Sequence, residues 1–148
     1  MADFWNHPSA MSFRPPGNFK DTYRLTANHA KVLDLGCNRA WLAGLIENYY
    51  GLDLNEPAIR EARAFWAEAK KWSPEEAEVR LRIGTSATLP FEKDSFDFIF
   101  CKDVLEHVHE PVAFLSECAR VLKPRGHLLL ITPDAQSWVW NDPTHVRP

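Results

Sequence analysis

Lys31-Val32-Leu33-Asp34-Leu35-Gly36-Cys37-Asn38-Arg39-Ala40, followed closely by Tyr49-Tyr50-Gly51-Leu52-Asp53-Leu54, decides how this chain is read. Val32–Leu35 is a short apolar run that ends in glycine, as a strand buried on both faces does. Gly36 lets the backbone turn sharply and approach a ligand. Asn38 is among the few non-glycine residues that tolerate the left-handed region. Ala40 is small enough for close packing, and the spacing predicts a short helix over Ala40–Glu47 whose N-terminus offers a partial positive charge. Tyr49–Leu54 is expected as a second strand. One glycine in such a turn is equally compatible with a tight turn that holds nothing. Asp53 adds the second element: it follows Asp34 by nineteen positions, close to the spacing at which an acid grips a ribose diol. A carboxylate accepts from both sugar hydroxyls at once. The plain alternative for Asp53 is a solvated strand-end acid that caps the next helix.

Working outward, Asn55 is a candidate N-cap for a helix over roughly 57–71, with Ile59, Ala62, Arg63 and Trp66 at helical spacing and Pro57 in the first turn. Val79–Ile83 alternates apolar and basic residues and reads as a third strand with one wetter face. Phe96–Cys101 is a fourth strand. Pro111 opens a helix to about Leu122, with Val112, Leu115, Ala119 and Leu122 on one stripe. Lys123–Gly126 is expected to stop it. His127–Thr132 is a fifth strand, ended by Pro133. Strands alternating with helices imply parallel βαβ units joined by right-handed crossovers, hence one doubly wound, Rossmann-like α/β sheet. Before it, residues 1–30 read as an arm containing Pro8, Pro15 and Pro16, with Phe4, Trp5 and Phe13 as packing candidates, and a lead-in helix over about 20–29.

The composition sets bounds. The 148 residues, 45% hydrophobic and 25% charged, suit one globular domain. Apolar runs such as Leu128–Ile131 are far shorter than the roughly 20 residues that span a bilayer. Met1–Pro16 has no apolar segment of the secretory kind. A net charge of −3 without a basic block disfavours a nucleic-acid partner. Cys37, Cys101 and Cys118, odd in number and without CxxC spacing, fit a reducing, cytoplasmic setting. His107 and His109 would point in different directions on a helix, so no metal site is expected.

The motifs resemble those of class I S-adenosylmethionine-dependent methyltransferases. Val32-Leu-Asp-Leu-Gly-Cys37 is similar to their first motif and Gly51-Leu-Asp-Leu54 to their second. Gly84-Thr-Ser-Ala-Thr-Leu-Pro-Phe91 with Asp94-Ser-Phe-Asp-Phe98 resembles the third motif and fourth strand. Cys101-Lys-Asp-Val-Leu-Glu-His-Val108 and Glu117-Cys-Ala-Arg-Val-Leu-Lys-Pro-Arg-Gly126 complete the series, in the manner of the small-molecule group that includes quinone-biosynthesis enzymes. The resemblance runs from about 31 to 134. It implies S-adenosylmethionine as cofactor, with Asp34, Gly36 and Asn38 around the methionine moiety and Asp53 on the ribose. Leu54 would lie against adenine, Ser86 and Ala87 at its edge, and the Cys101 carbonyl near the cofactor's ammonium. It implies a small-molecule or lipid-like acceptor. His107 is a candidate base; otherwise no catalytic group stands out, since alignment of the activated methyl does most of the work.

Three departures qualify the resemblance. Glycine is usual where Asn38 and Ala40 stand, and an acid or amide is usual at Thr85. The family fold also continues with two further strands, so residues 31–148 are expected to be a core incomplete at its C-terminus. The fifth strand would then be an exposed edge open to self-association, partly covered by Trp138-Val-Trp140. The alternative is a degenerate, non-catalytic relative that binds the cofactor or a partner. A nicotinamide enzyme would want G-x-G-x-x-G, where this chain has Gly36, Asn38 and Trp41.

Overall fold

The computed structural model describes residues 30–133. The N-terminal arm, the lead-in helix and Trp138–Trp140 lie outside the described residues. Within them, in chain order, come β1 (Val32–Leu35), a 3-10 turn (Trp41–Gly44), β2 (Tyr49–Asp53), α1 (Glu56–Lys70), α2 (Pro74–Arg80), β3 (Leu81–Ile83), β4 (Phe96–Lys102), a second 3-10 turn (Leu105–His107), α3 (Pro111–Val121) and β5 (Leu122–Ile131). The five strands form one sheet in the order β3-β2-β1-β4-β5, and every neighbouring pair is parallel. This is the expected doubly wound α/β sheet. Strand order reverses between β1 and β4, so the ligand crevice of such a sheet falls beyond the carboxyl ends of these two strands.

Each face of the sheet is covered. On one, Val32, Tyr49, Leu81 and Phe100 pack with Leu42 and Ile46 and with Ile59, Ala62 and Trp66 of α1. On the other, Leu33, Leu35, Leu52, Ile99 and Cys101 pack under Phe114, Cys118 and Val121 of α3. Burial on both sides explains why β1 and β4 read as nearly unbroken apolar runs.

Several local expectations need correction. Ala40–Glu47 is not a helix: only Trp41–Gly44 makes a 3-10 turn, and Ala40 before it is left-handed, φ 55°. A single turn has no helix N-terminus to offer an anion. The run at Val79 is a strand only from Leu81 onward. Ser73 caps α2 by accepting from the Glu76 N–H, Pro74 occupies its first turn, and Val79 is consequently an exposed helical residue. The S-P-E-E signal at 73–76 is a capping pattern that alternation at 79–83 masked. The apolar stripe of α3 is also displaced. Phe114, Cys118 and Val121 face the sheet, whereas Val112 is 76% exposed and Leu115 is exposed too. A stripe through 114, 118 and 121 has the same helical spacing as one through 112, 115 and 119, so periodicity alone could not choose between them.

Lys123–Gly126 does not separate helix from strand. It is an irregularity inside β5: Leu122 already pairs with Phe96, and the register resumes at His127 opposite Phe98. Arg125 takes a left-handed conformation there, φ 67°. At that end of the sheet Asp97 accepts from the Lys31 N–H (2.8 Å) and from Lys123 Nζ (2.9 and 3.0 Å), tying β1, β4 and β5 together. Among the described residues β5 has a strand neighbour on one side only, β4, and Leu128–Ile131 are half-buried rather than exposed. No helix among the described residues is long and apolar enough to cross a membrane.

The displaced stripe can be checked by denaturant unfolding. Phe114→Ala is expected to destabilise by about 3–5 kcal/mol, and Val112→Ala by less than about 0.5 kcal/mol. Equal losses would restore the original stripe.

Candidate functional site

The turn after β1 sets the geometry. Gly36 has φ 73°, and a Cβ there would stand 2.4 Å from Val104 Cγ2, so no other residue fits without movement. The Gly36 and Cys37 N–H groups both donate to Leu52 O, at 2.9 and 3.3 Å. The Asn38 N–H donates to Asp53 Oδ2 at 2.7 Å, and the Ala40 N–H to Cys37 O at 2.7 Å. These amides are therefore spent on the end of β2 and on the loop itself. Asn38 (φ 47°) and Ala40 (φ 55°) both hold left-handed conformations, so the backbone follows the path that glycines would take although neither residue is glycine.

Asp53 ends β2 half-buried. Its Oδ2 takes the Asn38 N–H, and its Oδ1 takes the Asn55 N–H at 2.7 Å. Asn55 in turn caps α1 by accepting from the Ala58 N–H. The carboxylate is thus clamped by two backbone donors, and each oxygen keeps a lone pair for another donor. Leu54, next along, is 67% exposed, which leaves its apolar surface at the mouth of the site.

Asp34 sits differently from its neighbours. It is 2% exposed, within β1 rather than on the rim. Its Oδ2 accepts from the Tyr49 hydroxyl at 2.7 Å. Burial, aided by the charge of Asp53 and opposed by the Tyr49 hydrogen bond, raises its pKa to about 7. The Cys37 thiol beside it is pushed well up by burial and by the charges of Asp34 and Asp53.

The third wall is the segment after β3. Ser86 is half-buried and Ala87 exposed, and the Ala87 N–H donates to Thr85 Oγ1 at 3.3 Å. Cys101 is fully buried, one residue inside the end of β4 and paired with Leu35 on one side and Leu130 on the other. His107 is exposed at the end of the second 3-10 turn. The structure therefore gathers Gly36, Asn38, Asp53 and Leu54 on one rim, with Asp34 beneath them.

Residues that sequence reasoning did not single out hold this arrangement. Trp66 of α1 donates its indole N–H to Arg39 O at 3.1 Å, and Arg39 Nε pairs with Glu61 at 2.7 Å. Glu117 of α3 accepts from the Leu89 N–H at 2.8 Å, while Arg120 donates to the Phe91 and Leu89 carbonyls at 2.8 and 2.9 Å. The Arg120 hydrogen bond, with that of the Leu89 N–H, lowers Glu117 to about 2. The Glu117–Arg120 spacing stood in the quoted motif; its purpose, strapping a loop 28–31 residues away, had no local signal. Among the described residues no group of His, Cys, Asp or Glu gathers as a metal site requires.

A family model described as a methyltransferase domain matches residues 33–130. The chain belongs to that family. Among relatives of this methyltransferase domain, the ubiquinone biosynthesis O-methyltransferase of Xanthomonas oryzae is 35% identical over 114 residues, covering 74% of this chain and 45% of the relative. A probable S-adenosylmethionine-dependent methyltransferase of Mycolicibacterium smegmatis is 34% identical over 70% of this chain and 38% of its own length. The chain thus spans less than half the length of these relatives. Among solved structures, the YcgJ protein of Bacillus subtilis superposes with a TM-score of 0.67 at 27% identity, covering 88% of this chain and 61% of that one. S-adenosylmethionine is the cofactor this membership implies.

The residues present suit that molecule. It offers a ribose diol, which the clamped Asp53 can accept, and has no diphosphate, for which this loop keeps no amide at Gly36, Cys37, Asn38 or Ala40. Its cationic end suits the Asp34 carboxyl, whose Oδ1 accepts no hydrogen bond from the described residues.

Asp34 also makes stability depend on pH. Its folded pKa lies above the unfolded value, so its contribution is complete below about pH 4 and is lost as pH rises through about 7. Unfolding midpoints of wild type and Asp34→Asn, measured from pH 5 to 8, are expected to diverge in favour of the variant as pH rises. Parallel profiles would show that the buried carboxyl does not titrate in this range. Gly36→Ala is expected to destabilise by about 2–4 kcal/mol, from a disfavoured φ and overpacking on Val104.

Proposed function

We propose that this domain binds S-adenosylmethionine at the rim formed by Gly36, Asn38, Asp53 and Leu54, and directs methyl transfer to a small-molecule or lipid-like acceptor. The observation that carries this reading is the clamped Asp53 carboxylate beside a loop whose Gly36, Cys37, Asn38 and Ala40 amides are already used: an acceptor for a diol with few amides left for a diphosphate. Asp53 takes the ribose hydroxyls. Leu54 lies along the adenine face, and Ser86 and Ala87 along its edge. Asp34 and Gly36 border the methionine moiety, with the Cys101 carbonyl toward its ammonium.

When bound, the cofactor supplies a methyl group already activated on a sulfonium. The protein's share is to hold that methyl in line with the acceptor and to keep water out. A base is required only for an acceptor that must lose a proton; His107, exposed near the end of β4, is the candidate for that step. The name of the Xanthomonas relative, a ubiquinone biosynthesis O-methyltransferase, favours a small acceptor. The three cysteines are all free thiols, which supports a reducing compartment, the cytoplasm.

The left-handed path kept at Asn38 and Ala40 bears on the alternative of a degenerate relative, because it preserves the loop despite the missing glycines.

Calorimetric titration with S-adenosylmethionine tests the reading. Wild type is expected to bind saturably. Asp53→Ala and the closer isostere Asp53→Asn should lose about 100-fold or more in affinity, as two charge-assisted hydrogen bonds are removed or weakened. NADH should give no heat of binding. A folded chain that ignores S-adenosylmethionine, or binds it equally well without Asp53, would overturn the proposal.

A further inference from the structure

Asp34 and Tyr49 form a buried polar pair within the sheet. Asp34 lies 2% exposed and Tyr49 fully buried, on adjacent parallel strands, with the phenol hydroxyl 2.7 Å from Asp34 Oδ2. Tyr49 belongs to the apolar cluster beneath the loop, with Cys37, Ala40 and Leu42, so its hydroxyl is carried into the core, where it meets Asp34 and the Cys37 thiol. A buried phenol without a partner would be unfavourable; here the partner is a carboxyl that no described cation neutralises.

Among the described residues the charged and titratable groups facing Asp34 are few. They are Tyr49 and Asp53 from β2, Cys37 from the loop and Cys101 from β4. Burial and nearby carboxylates raise Tyr49 and Cys37 well above their ordinary values, and burial first, then neighbouring thiol and carboxyl groups, raises Cys101 as well. All three stay neutral near pH 7. Among the described residues Asp34 therefore meets one hydrogen-bond donor and one repelling carboxylate, Asp53, and no positive charge. S-adenosylmethionine brings a sulfonium and an ammonium to the rim directly above.

We propose that the Asp34–Tyr49 pair is a proton-linked counter-ion for the cationic end of the cofactor, with Tyr49 as the positioning residue that sets the pH range in which it works. This rests on the cofactor reading above. In the free protein Asp34 holds a proton at mildly acidic pH. Arrival of the cationic cofactor favours the carboxylate, and the proton leaves to solvent. Affinity consequently rises with pH and levels off once Asp34 is ionised in the free protein as well. The Tyr49 hydroxyl favours the carboxylate by donating to it, so its removal moves the rise to higher pH.

The experiment is calorimetry with S-adenosylmethionine on wild type, Asp34→Asn and Tyr49→Phe between pH 5.5 and 8, with proton uptake or release read from buffers of different ionisation enthalpy. S-adenosylhomocysteine, which lacks the sulfonium charge, is run alongside. Circular dichroism establishes that each variant is folded. Wild type is expected to lose about tenfold in affinity from pH 8 to pH 6 and to release protons on binding at pH 6.5. Asp34→Asn, which retains the ligand's own titration, should lose that slope and that release. Tyr49→Phe should shift the midpoint upward while keeping its plateau affinity. A slope that is smaller for S-adenosylhomocysteine would assign the effect to the sulfonium, and an equal slope to the ammonium. Wild type that binds with the same pH profile as Asp34→Asn, or with no proton release, would overturn this inference and leave the cofactor reading intact. An unmoved midpoint in Tyr49→Phe would remove the role of Tyr49. No binding at any pH would overturn both.

Discussion

The turn at Gly36 is the constraint on which the rest depends. A left-handed residue without a side chain lets β1 end against Val104 and swing its next two amides onto Leu52 O. That placement brings Asn38 within reach of Asp53, and Asp53 in turn fixes Asn55, which caps α1. Three links of this chain, from Gly36, Cys37 and Asn38 to the end of β2, are hydrogen bonds between stretches far apart in sequence. None would form if the backbone at residue 36 stayed on the usual side of φ.

Much of the architecture could be read in the sequence because strands buried on both faces announce themselves. Val32–Leu35 and Phe96–Cys101 are almost wholly apolar, and their order with the intervening helices prescribes a parallel sheet. The errors fell where two patterns compete. At Val79 the alternation of a strand overlaps the last turn of a helix capped six residues earlier by Ser73. In α3 two apolar stripes share the same spacing, and only the packed sheet selects Phe114, Cys118 and Val121. At Ala40 the chain has a good helix former, but the left-handed conformation demanded by the loop overrides propensity.

The rim of the candidate site was legible for a different reason: an acid and a glycine at strand ends have recognisable spacing. The supporting residues were not. Trp66, Glu61, Glu117 and Arg120 act through contacts 3 to 31 positions away in sequence, and on their own helices they look like ordinary core or surface residues. Asp34 was expected beside the ligand; the structure buries it within β1, where the Tyr49 hydroxyl donates to it. That Tyr49 serves a polar partner within an apolar cluster could be known only once β1 and β2 were aligned in register.

The two straps on the site's loops have a mechanical meaning. Trp66 moors the loop after β1 to α1, on one face of the sheet, whereas Glu117 and Arg120 moor the segment after β3 to α3, on the other. The sheet itself stands between the two moorings. The aperture between these loops is thereby tied to the thickness of a packed three-layer body, which is stiff, rather than to a hinge. Such a mouth behaves as a fixed gauge: it admits what already fits, and any widening must be borne by the helices on both sides together.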